Sequence, residues 1–260
     1  CVPDPNDTIW LECTSQHSPC GYLGGFTEGR DVLMIDQGNS RLIRTRALGL
    51  DENVKKSMAE IRFDETGMGS MNIRTTYSGL DYDDIQSIFL ADDQDQVKMI
   101  SDRMTFPLFQ LVDFNYEETG SRNPVITEEI QVNFENFLTV INSRYIMPLN
   151  CTGHATGSPA AVRNRKTDVI LRHEFLEVDS LVFFIPESLK IGSIPENAEV
   201  SSQFGTYRSS VIPDENKLIY IRTLQFNRGD FPVSSYTELI DFMDRVIMAD
   251  HDKCVFVRNE

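Results

Sequence analysis

Long stretches in which apolar and polar residues alternate constrain the fold of this chain more than any other feature. The clearest pair covers residues 54–64 and 68–78, with a short Gly-containing turn between them. Because successive side chains of a strand point to opposite faces, one face of the first stretch carries Ala59, Ile61 and Phe63. The side chains that answer them on the second stretch are Met71, Ile73, Thr75 and Tyr77. The pair predicts a long β-hairpin.

The same alternation recurs along the rest of the chain. Runs of this kind cover residues 108–117, 124–134, 167–177, 179–186, 198–212 and 217–227. Gly, Pro, Asn and Asp punctuate them, as they do between the strands of all-β domains. Regular alternation of β and α units would indicate a parallel sheet. This succession of strands predicts a mainly β chain, folded as an antiparallel β-sandwich.

Three segments have helical spacing instead. Residues 81–90 and 92–104 are each preceded by acids that suit a helix N-terminus, and they predict two short helices crossing an edge or end of the sheet. A C-terminal helix follows Ser234-Ser235, which we expect to cap it, and residues 254–257 form a last strand. The polar residues 150–164 predict a surface loop.

The first 48 residues have a different character. They predict a strand at Ile9-Trp10-Leu11, a glycine-rich crossing at residues 21–29 without a helix, and a hairpin of residues 31–35 and 41–45. The predicted organisation is therefore one region at 1–48 and a sandwich with its C-terminal helix at 49–260. Since about 48 residues bury too little area to fold alone, we expect this region to dock on the sandwich through Trp10 and Phe26.

Charge and composition exclude several classes of function. Among 260 residues, 40 are acidic and 24 are basic, which gives a net charge of −16 and repels a phosphate backbone, so no nucleic-acid partner is expected. No apolar run approaches the roughly 20 residues that span a bilayer, so no transmembrane segment is expected. Five cysteines are too few for a disulfide scaffold, although Cys13 and Cys20 are spaced so that they could bridge.

Few residues suggest chemistry on their own. Cys151-Thr-Gly-His154 places a thiol near a base, but zinc needs three or four ligands and no second Cys/His pair stands at a useful spacing. His173 lies in an alternating run and is interpreted as a cross-strand packing residue. The acids of residues 81–95 lack the calcium-loop pattern and are interpreted as solvated helix starts. Neither a cofactor nor a metal is predicted.

Both ends of the chain carry a family resemblance. The run Asp7-Thr8-Ile9-Trp10-Leu11-Glu12-Cys13-Thr14-Ser15-Gln16, continued by Phe26-Thr27-Glu28-Gly29-Arg30, resembles the end of a bacterial transglutaminase-like core. Tyr220-Ile221-Arg222-Thr223 and Arg228-Gly229-Asp230-Phe231-Pro232 resemble the C-terminal domain of unknown function that follows such cores in large bacterial envelope proteins. By the order of its segments, the resemblance covers nearly the whole chain.

The resemblance implies a divided active site. Transglutaminase-like cores use a papain-type Cys, His and acid, in which the thiolate attacks a carbonyl and the acid orients the imidazole. The family's Asp falls on Glu12, one methylene longer, and the segments that carry the nucleophile and the base would lie upstream of Cys1. Glu12 is therefore the one candidate catalytic residue, as the acid of an incomplete triad, and this chain alone is not expected to be an enzyme.

We therefore expect a noncatalytic accessory or binding region of an exported transglutaminase-like protein of the bacterial cell envelope, in the periplasm. Its partners would be the upstream core of the same polypeptide and a peptide or cell-wall polymer. The alternative is a free-standing carbohydrate-binding or adhesion-type sandwich, which exposed aromatic side chains on one sheet face would favour. A third hypothesis is a thiol hydrolase that uses Cys151 and His154 with an acid.

Overall fold

A computed structural model describes residues 1–4, 7–106, 108–120, 122–153, 157–162 and 164–259. Its helices are α1 (Gly24–Thr27), α2 (Leu80–Phe89), α3 (Asp93–Arg103) and α4 (Tyr236–Asp250), with a 3₁₀ turn at Val233–Ser235. Its strands are β1 (Val2–Asp4), β2 (Asp7–Ile9), β3 (Asp31–Met34), β4 (Arg41–Arg44), β5 (Val54–Phe63), β6 (Gly69–Ser78), β7 (Leu108–Thr119), β8 (Val125–Glu135), β9 (Thr139–Ile141), β10 (Arg144–Pro148), β11 (Val169–Leu171), β12 (Phe175–Phe184), β13 (Leu189–Ser193), β14 (Ala198–Ser202), β15 (Gly205–Asp214), β16 (Lys217–Phe226), β17 (Gly229–Phe231) and β18 (Lys253–Arg258). The mainly β prediction is confirmed.

An eight-stranded sheet forms the main layer, in the order β14-β15-β16-β12-β5-β6-β8-β7. The predicted β5–β6 hairpin lies near its middle, with Ile61 opposite Met71 and Ala59 opposite Ile73. All its pairings are antiparallel except one, because β5 and β12 run parallel to each other. The expectation of a purely antiparallel sandwich is wrong at this joint: β5 and β12 are far apart in sequence, so no tight turn forces them into opposite directions.

The sheet is covered on one face, here called the inner face, which carries Ala59, Ile61, Leu181 and Phe183. A four-stranded sheet, β13-β18-β10-β9, packs on that face, where the ring centroids of Phe63 and Phe256 lie 6.1 Å apart. On the opposite, outer face Met58 is 59% exposed. The protein is therefore a sandwich of two unequal sheets.

Helices α2 and α3 close the inner face beside the small sheet. Ile85, Ile88 and Ile100 are buried in the same core as Ile126 and Ile130 of β8. The predicted helix positions are confirmed to within a residue or two, but α2 lies over β6 and β8 rather than across an edge or end of the sheet, and Arg103 at the end of α3 contacts Glu128 of β8. Their apolar stripes decide this, because each stripe needs a face to cover.

The first 48 residues dock on the same core, and of the two expected anchors Trp10 is partly buried whereas Phe26 is not buried. Tyr22 and Leu48 are buried in the core cluster, whereas Phe26 is 80% exposed and is not an anchor. The β3–β4 hairpin is confirmed, and a one-turn helix, α1, occupies part of the crossing where no helix was expected. The buried Glu28 carboxylate accepts a hydrogen bond from the Leu48 amide (2.9 Å) and lies 2.5 Å from Nδ1 of His173, in the turn between β11 and β12.

Two sequence interpretations fail for one physical reason. Residues 175–184 form one strand, β12, although the sequence was divided there into two runs, 167–177 and 179–186. His173 stands outside that strand and pairs with Glu28, so it is not a cross-strand packing residue. In both cases a charged partner from elsewhere in the chain compensates the polar group, and sequence spacing does not show that partner.

Helix α4 is part of the sandwich. Leu239, Phe242 and Val246 form a second core cluster with Tyr207 and Leu224 of the main sheet. Ser235 makes no capping hydrogen bond with its side chain, so the predicted serine cap is wrong and the preceding 3₁₀ turn starts the helix instead. Beyond the helix, β18 lies between β13 and β10 in the small sheet. No helix in the described ranges is long and apolar enough to cross a membrane.

We predict that Phe242→Ala costs on the order of 3 kcal/mol of unfolding free energy, because a buried aromatic ring is removed from a packed core. Asp241→Ala is the matched control on the exposed side of the same helix and should cost less than about 0.5 kcal/mol. Chemical denaturation followed by circular dichroism measures both. Equal midpoints for the two variants would mean that α4 does not help to hold the sandwich together.

Candidate functional site

Glu12, the sequence-predicted acid, lies in the loop between β2 and α1 and is partly buried. Its Oε1 accepts hydrogen bonds from the Thr14 amide (2.8 Å) and the Thr14 hydroxyl (2.6 Å), and its Oε2 accepts one from Thr27 (2.9 Å). These hydrogen bonds lower the pKa of the carboxyl, which is therefore ionised at neutral pH. In the described part of the chain, no imidazole or thiol hydrogen-bonds to this carboxylate.

Cys151, the thiol of the other candidate motif, is buried. Burial, with a smaller contribution from the negative charge of Asp179, raises its pKa to about 12. A thiol with such a pKa stays protonated at neutral pH and is a poor nucleophile. His154, its proposed partner, lies outside the described residues.

The structure brings together a group of residues that the sequence did not single out. Six polar side chains from six neighbouring strands stand side by side in one row across the inner face. We call this row the polar belt; its members, in order across the sheet, are Ser209, Arg222, Asp179, Ser57, Thr75 and Glu128. None is more than 7% exposed. Burying polar groups in a row is costly unless each one finds a partner.

One end of the belt is an ion cluster centred on Arg222. Its guanidinium contacts both oxygens of Asp250 on α4 (2.7 and 3.1 Å), Asp179 of β12 (2.9 Å) and Glu177 of β12 (2.8 Å). Tyr207 donates a further hydrogen bond to Asp250 (2.9 Å). Burial raises the pKa of Asp179 and the Arg222 charge opposes that rise. One cation thus bridges three carboxylates and ties α4 to the sheet.

The other end of the belt is closed by Arg103 of α3. Its guanidinium lies 2.5 Å from one oxygen of Glu128, which also accepts a hydrogen bond from Tyr116 at 2.5 Å. Tyr77 donates to the other oxygen at 2.7 Å. Burial and the Glu128 charge raise the pKa of both tyrosines, so they remain donors at any physiological pH. This end is fully partnered.

The middle of the belt borders a cavity of about 280 Å³ between the sheet and α2. Ser57 and Thr75 lie in its wall, and a long hydrogen bond joins their hydroxyls (3.4 Å). Lys55, one row away on β5, and Asp81 of α2 also line it. Burial raises the pKa of Asp81 to about 6; Lys55 opposes that rise, while Glu177 and Asp84 add to it. Polar groups of opposite charge thus face the same space.

The interpretation of the acids of residues 81–95 as solvated helix starts holds for Asp92, which is exposed, but not for Asp81 and Asp83, which are partly buried. Asp92 caps α3 by accepting hydrogen bonds from the amides of Gln94 and Asp95 (3.1 and 3.0 Å). Asp83 accepts one from the Gly25 amide (2.7 Å) and lies 2.9 Å from the Tyr22 hydroxyl. Within the described ranges, no group of three His, Cys, Asp or Glu side chains is arranged to hold a metal ion.

An apolar surface lies on the β3–β4 hairpin. Leu33 and Leu42 are opposite each other on the two strands and are 61% and 74% exposed, and Ile35 is 84% exposed. We call these three residues the hairpin patch. The alternate pair, Val32 and Ile43, is only partly exposed. The hairpin therefore exposes three large aliphatic side chains to solvent.

The polar belt has a signal in the sequence, which is a polar residue at an inward-facing position of each strand. On each long strand the belt residue stands in phase with the apolar positions that face the core: Ser57 precedes Ala59 and Ile61 by the period of two, and Arg222 stands between Tyr220 and Leu224. A polar residue at an inward position of a strand needs a buried partner. Such positions in several strands would have indicated a buried network, although not which strands are neighbours.

Comparisons with known proteins find similarity over part of the chain. Residues 142–256 match the family model DUF3858, described as a domain of unknown function with a solved structure. No curated protein matches the chain. A crystal structure from Parabacteroides distasonis, described as a "putative protease", is similar over 45% of this chain and 24% of that one, with 16% identity and a TM-score of 0.36. The chain thus spans about a quarter of the length of that protein.

We predict that Arg222→Leu costs on the order of 3–5 kcal/mol of unfolding free energy, because three carboxylates would be left without their buried cation. Arg208→Leu is the matched control: it lies on β15 and pairs with Glu199 at the surface, where such a pair is worth less than about 1 kcal/mol. Urea denaturation measures both variants. A small cost for Arg222→Leu would show that the cluster is not needed for the fold.

The five thiols should react in two classes. Cys1, Cys13 and Cys20 are exposed and free, whereas Cys151 and Cys254 are buried, each with a pKa raised to about 12 mainly by burial. Since the thiolate is the reactive form, iodoacetamide at about pH 8 should label three cysteines rapidly and all five only after denaturation. Intact-mass spectrometry counts the labels. Rapid labelling of Cys151 in the native protein would contradict this and favour the thiol-hydrolase hypothesis.

Proposed function

We propose that the chain is a noncatalytic accessory region of an exported transglutaminase-like protein of the bacterial envelope, which acts in the periplasm and holds a peptide or cell-wall polymer beside the upstream core of the same polypeptide. The observation that carries this proposal is the hairpin patch. Leu33, Ile35 and Leu42 are more than 60% exposed, although the same segment buries Tyr22 and Leu48 against the sandwich. One side of the segment is packed and the other is apolar and uncovered.

The β3–β4 hairpin has only two strands, and its small size supports the existence of a partner surface that covers it. An isolated two-stranded hairpin is marginal in water and needs a further layer to pack against. Leaving the two facing leucines and the neighbouring isoleucine in water costs roughly 25 cal/mol of free energy for every Å² of exposed apolar surface. A core that covered Leu33 and Leu42 would recover that free energy. The upstream core is the partner that the resemblance of residues 7–30 implies.

The contacts of the segment suit a rigid connection. The Tyr22 hydroxyl lies 2.7 Å from the Gly79 carbonyl oxygen at the start of α2, and Asp83 holds the Gly25 amide. Glu28 joins the segment to His173 of the sandwich. A core that packed on the hairpin patch would thereby be held in a fixed orientation relative to the sheet, as an accessory region that positions substrate requires.

Glu12 keeps a role in this proposal as an orienting acid. Its lowered pKa maintains the charge that such an acid needs to stabilise an imidazolium. A carboxylate has about four lone-pair sites, and Thr14 and Thr27 occupy three of them. The backbone of Cys13 also hydrogen-bonds to it, so a histidine of the upstream core would share the carboxylate with these donors.

The carbohydrate-binding alternative has less support. Sugar rings stack on exposed aromatic platforms, and the exposed large apolar residues of the described outer face are aliphatic, such as Met58, Ile212 and Ile221. Phe184 lies on that face, but the Arg62 guanidinium covers its ring at 3.5 Å. The buried Cys151 thiol likewise gives little support to the thiol-hydrolase hypothesis.

The test compares two polypeptides, this chain and the same chain extended by the residues encoded before Cys1. The double substitution Leu33→Asp with Leu42→Asp should change the unfolding free energy of the 260-residue chain by less than about 0.5 kcal/mol, because both sites are exposed. In the extended polypeptide it should cost about 3 kcal/mol or more, because two charges would be buried in an apolar contact. Denaturant titration measures both.

Ile212→Asp, on the outer sheet face, is the matched control and should be tolerated equally in both polypeptides. If the extended polypeptide tolerates the hairpin substitutions as well as the short one does, the patch has no upstream partner. Upstream residues without a Cys and His segment would likewise overturn the proposed parentage.

A further inference from the structure

The cavity beside the polar belt is a site that the proposed accessory role does not use. It lies between the inner face of β5 and β6 and the helices α2 and α3, and its volume of about 280 Å³ is at the small end of ligand pockets. Asp84, at its rim, is exposed, so the cavity reaches solvent at the start of α2.

The wall of the cavity is divided by polarity. One part is aliphatic, and its residues are Met71, Ile85, Ile88, Ile100, Met104 and Ile130. The other part carries Lys55, Asp81 and the hydroxyls of Ser57, Thr75 and Thr152, with the paired Arg103, Glu128 and Tyr77 at one end and Asp84 at the rim. A ligand that fits must therefore have an apolar body and a compact polar end.

The polar part holds two opposite charges that do not meet. Lys55 and Asp81 influence each other electrostatically, yet in the described residues neither forms an ion pair within 4 Å. By contrast, Arg222 and Arg103 at the two ends of the belt are each fully paired. Lys55 and Asp81 are thus the charges of this region that retain unused hydrogen-bonding capacity.

The hydroxyls add donors beside the lysine. Ser57 and Thr75 are each only 2% exposed, and their hydroxyls contact each other at 3.4 Å. Thr152 reaches Asp179 at 3.3 Å. An ammonium group with neighbouring hydroxyls suits a carboxylate, and a desolvated carboxylate suits an ammonium ion.

We propose that this cavity binds a free α-amino acid with an aliphatic side chain, as its zwitterion. Its carboxylate contacts Lys55 and the Ser57 and Thr75 hydroxyls, its ammonium contacts Asp81, and its side chain enters the aliphatic part of the cavity. The ligand bridges the two charges that the protein leaves apart. This inference is independent of the accessory role.

The experiment titrates the 260-residue protein with L-leucine by isothermal calorimetry. Two analogues each keep only one charge: 3-methylbutylamine has the ammonium and 4-methylpentanoate has the carboxylate. L-leucine should bind with one-to-one stoichiometry, and each analogue at least about tenfold more weakly. No saturable binding of L-leucine, or equal binding of either analogue, would overturn the proposal, and this comparison needs no variant that might misfold.

Variants assign the two contacts. Asp81→Asn and Lys55→Met should each weaken L-leucine binding at least about tenfold, whereas Asp95→Asn and Lys98→Met, exposed on α3, should leave it unchanged. Wild-type affinity should fall as the pH drops below about 6, where Asp81 gains a proton, while Lys55, Glu177 and Asp84 face it. Asp81→Asn should remove that dependence. A pH profile that is unchanged in Asp81→Asn would contradict the ammonium contact.

Discussion

The fold depends on the buried contact of Arg222 with three carboxylates. Arg222 stands on β16, Glu177 and Asp179 on β12, and Asp250 at the end of α4, so one guanidinium joins three elements. In a low-dielectric interior such a group is stable only if every charge is met at good geometry. The bidentate contact with Asp250 supplies that geometry and fixes where α4 ends. The strand β18 follows directly and lies between two others of the small sheet.

The polar belt extends across the sheet the requirement that each buried charge has a partner. Glu128 needs Arg103, and Arg103 is positioned only if α3 packs over β8. The two arginines therefore hold the covering helices α3 and α4 over opposite halves of one face. Between Asp179 and Glu128 the belt consists of the hydroxyls of Ser57 and Thr75, and the cavity lies there. A wholly apolar row would pack more tightly, so the polar row stabilises a specific arrangement rather than a denser core.

A β-bulge lies in β7, the strand at one edge of the main sheet. Strand β7 pairs with β8 with a register shift between Leu111 and Asp113. Without this bulge, Phe114 and Tyr116 would point away from the core face that Phe109 and Leu111 cover. With the extra residue, Val112, all four stay packed against the core. A bulge also twists an edge strand and makes it a poorer template for pairing with another chain.

Local sequence patterns predicted the mainly β class, the β5–β6 hairpin, the helices α2, α3 and α4 and the β3–β4 hairpin, because each depends on contacts between neighbours in the chain. They also made Glu12 a candidate acid but could not show what surrounds it. The parallel joint of β5 and β12, the anchoring of the first segment by Tyr22 instead of Phe26, and the polar belt became visible only in the folded protein. These features depend on pairing between strands far apart in sequence, such as Ser57 with Asp179, or on a charged partner such as that of His173. A period of two tells which face a side chain occupies, but it carries no information about which distant strand stands beside it.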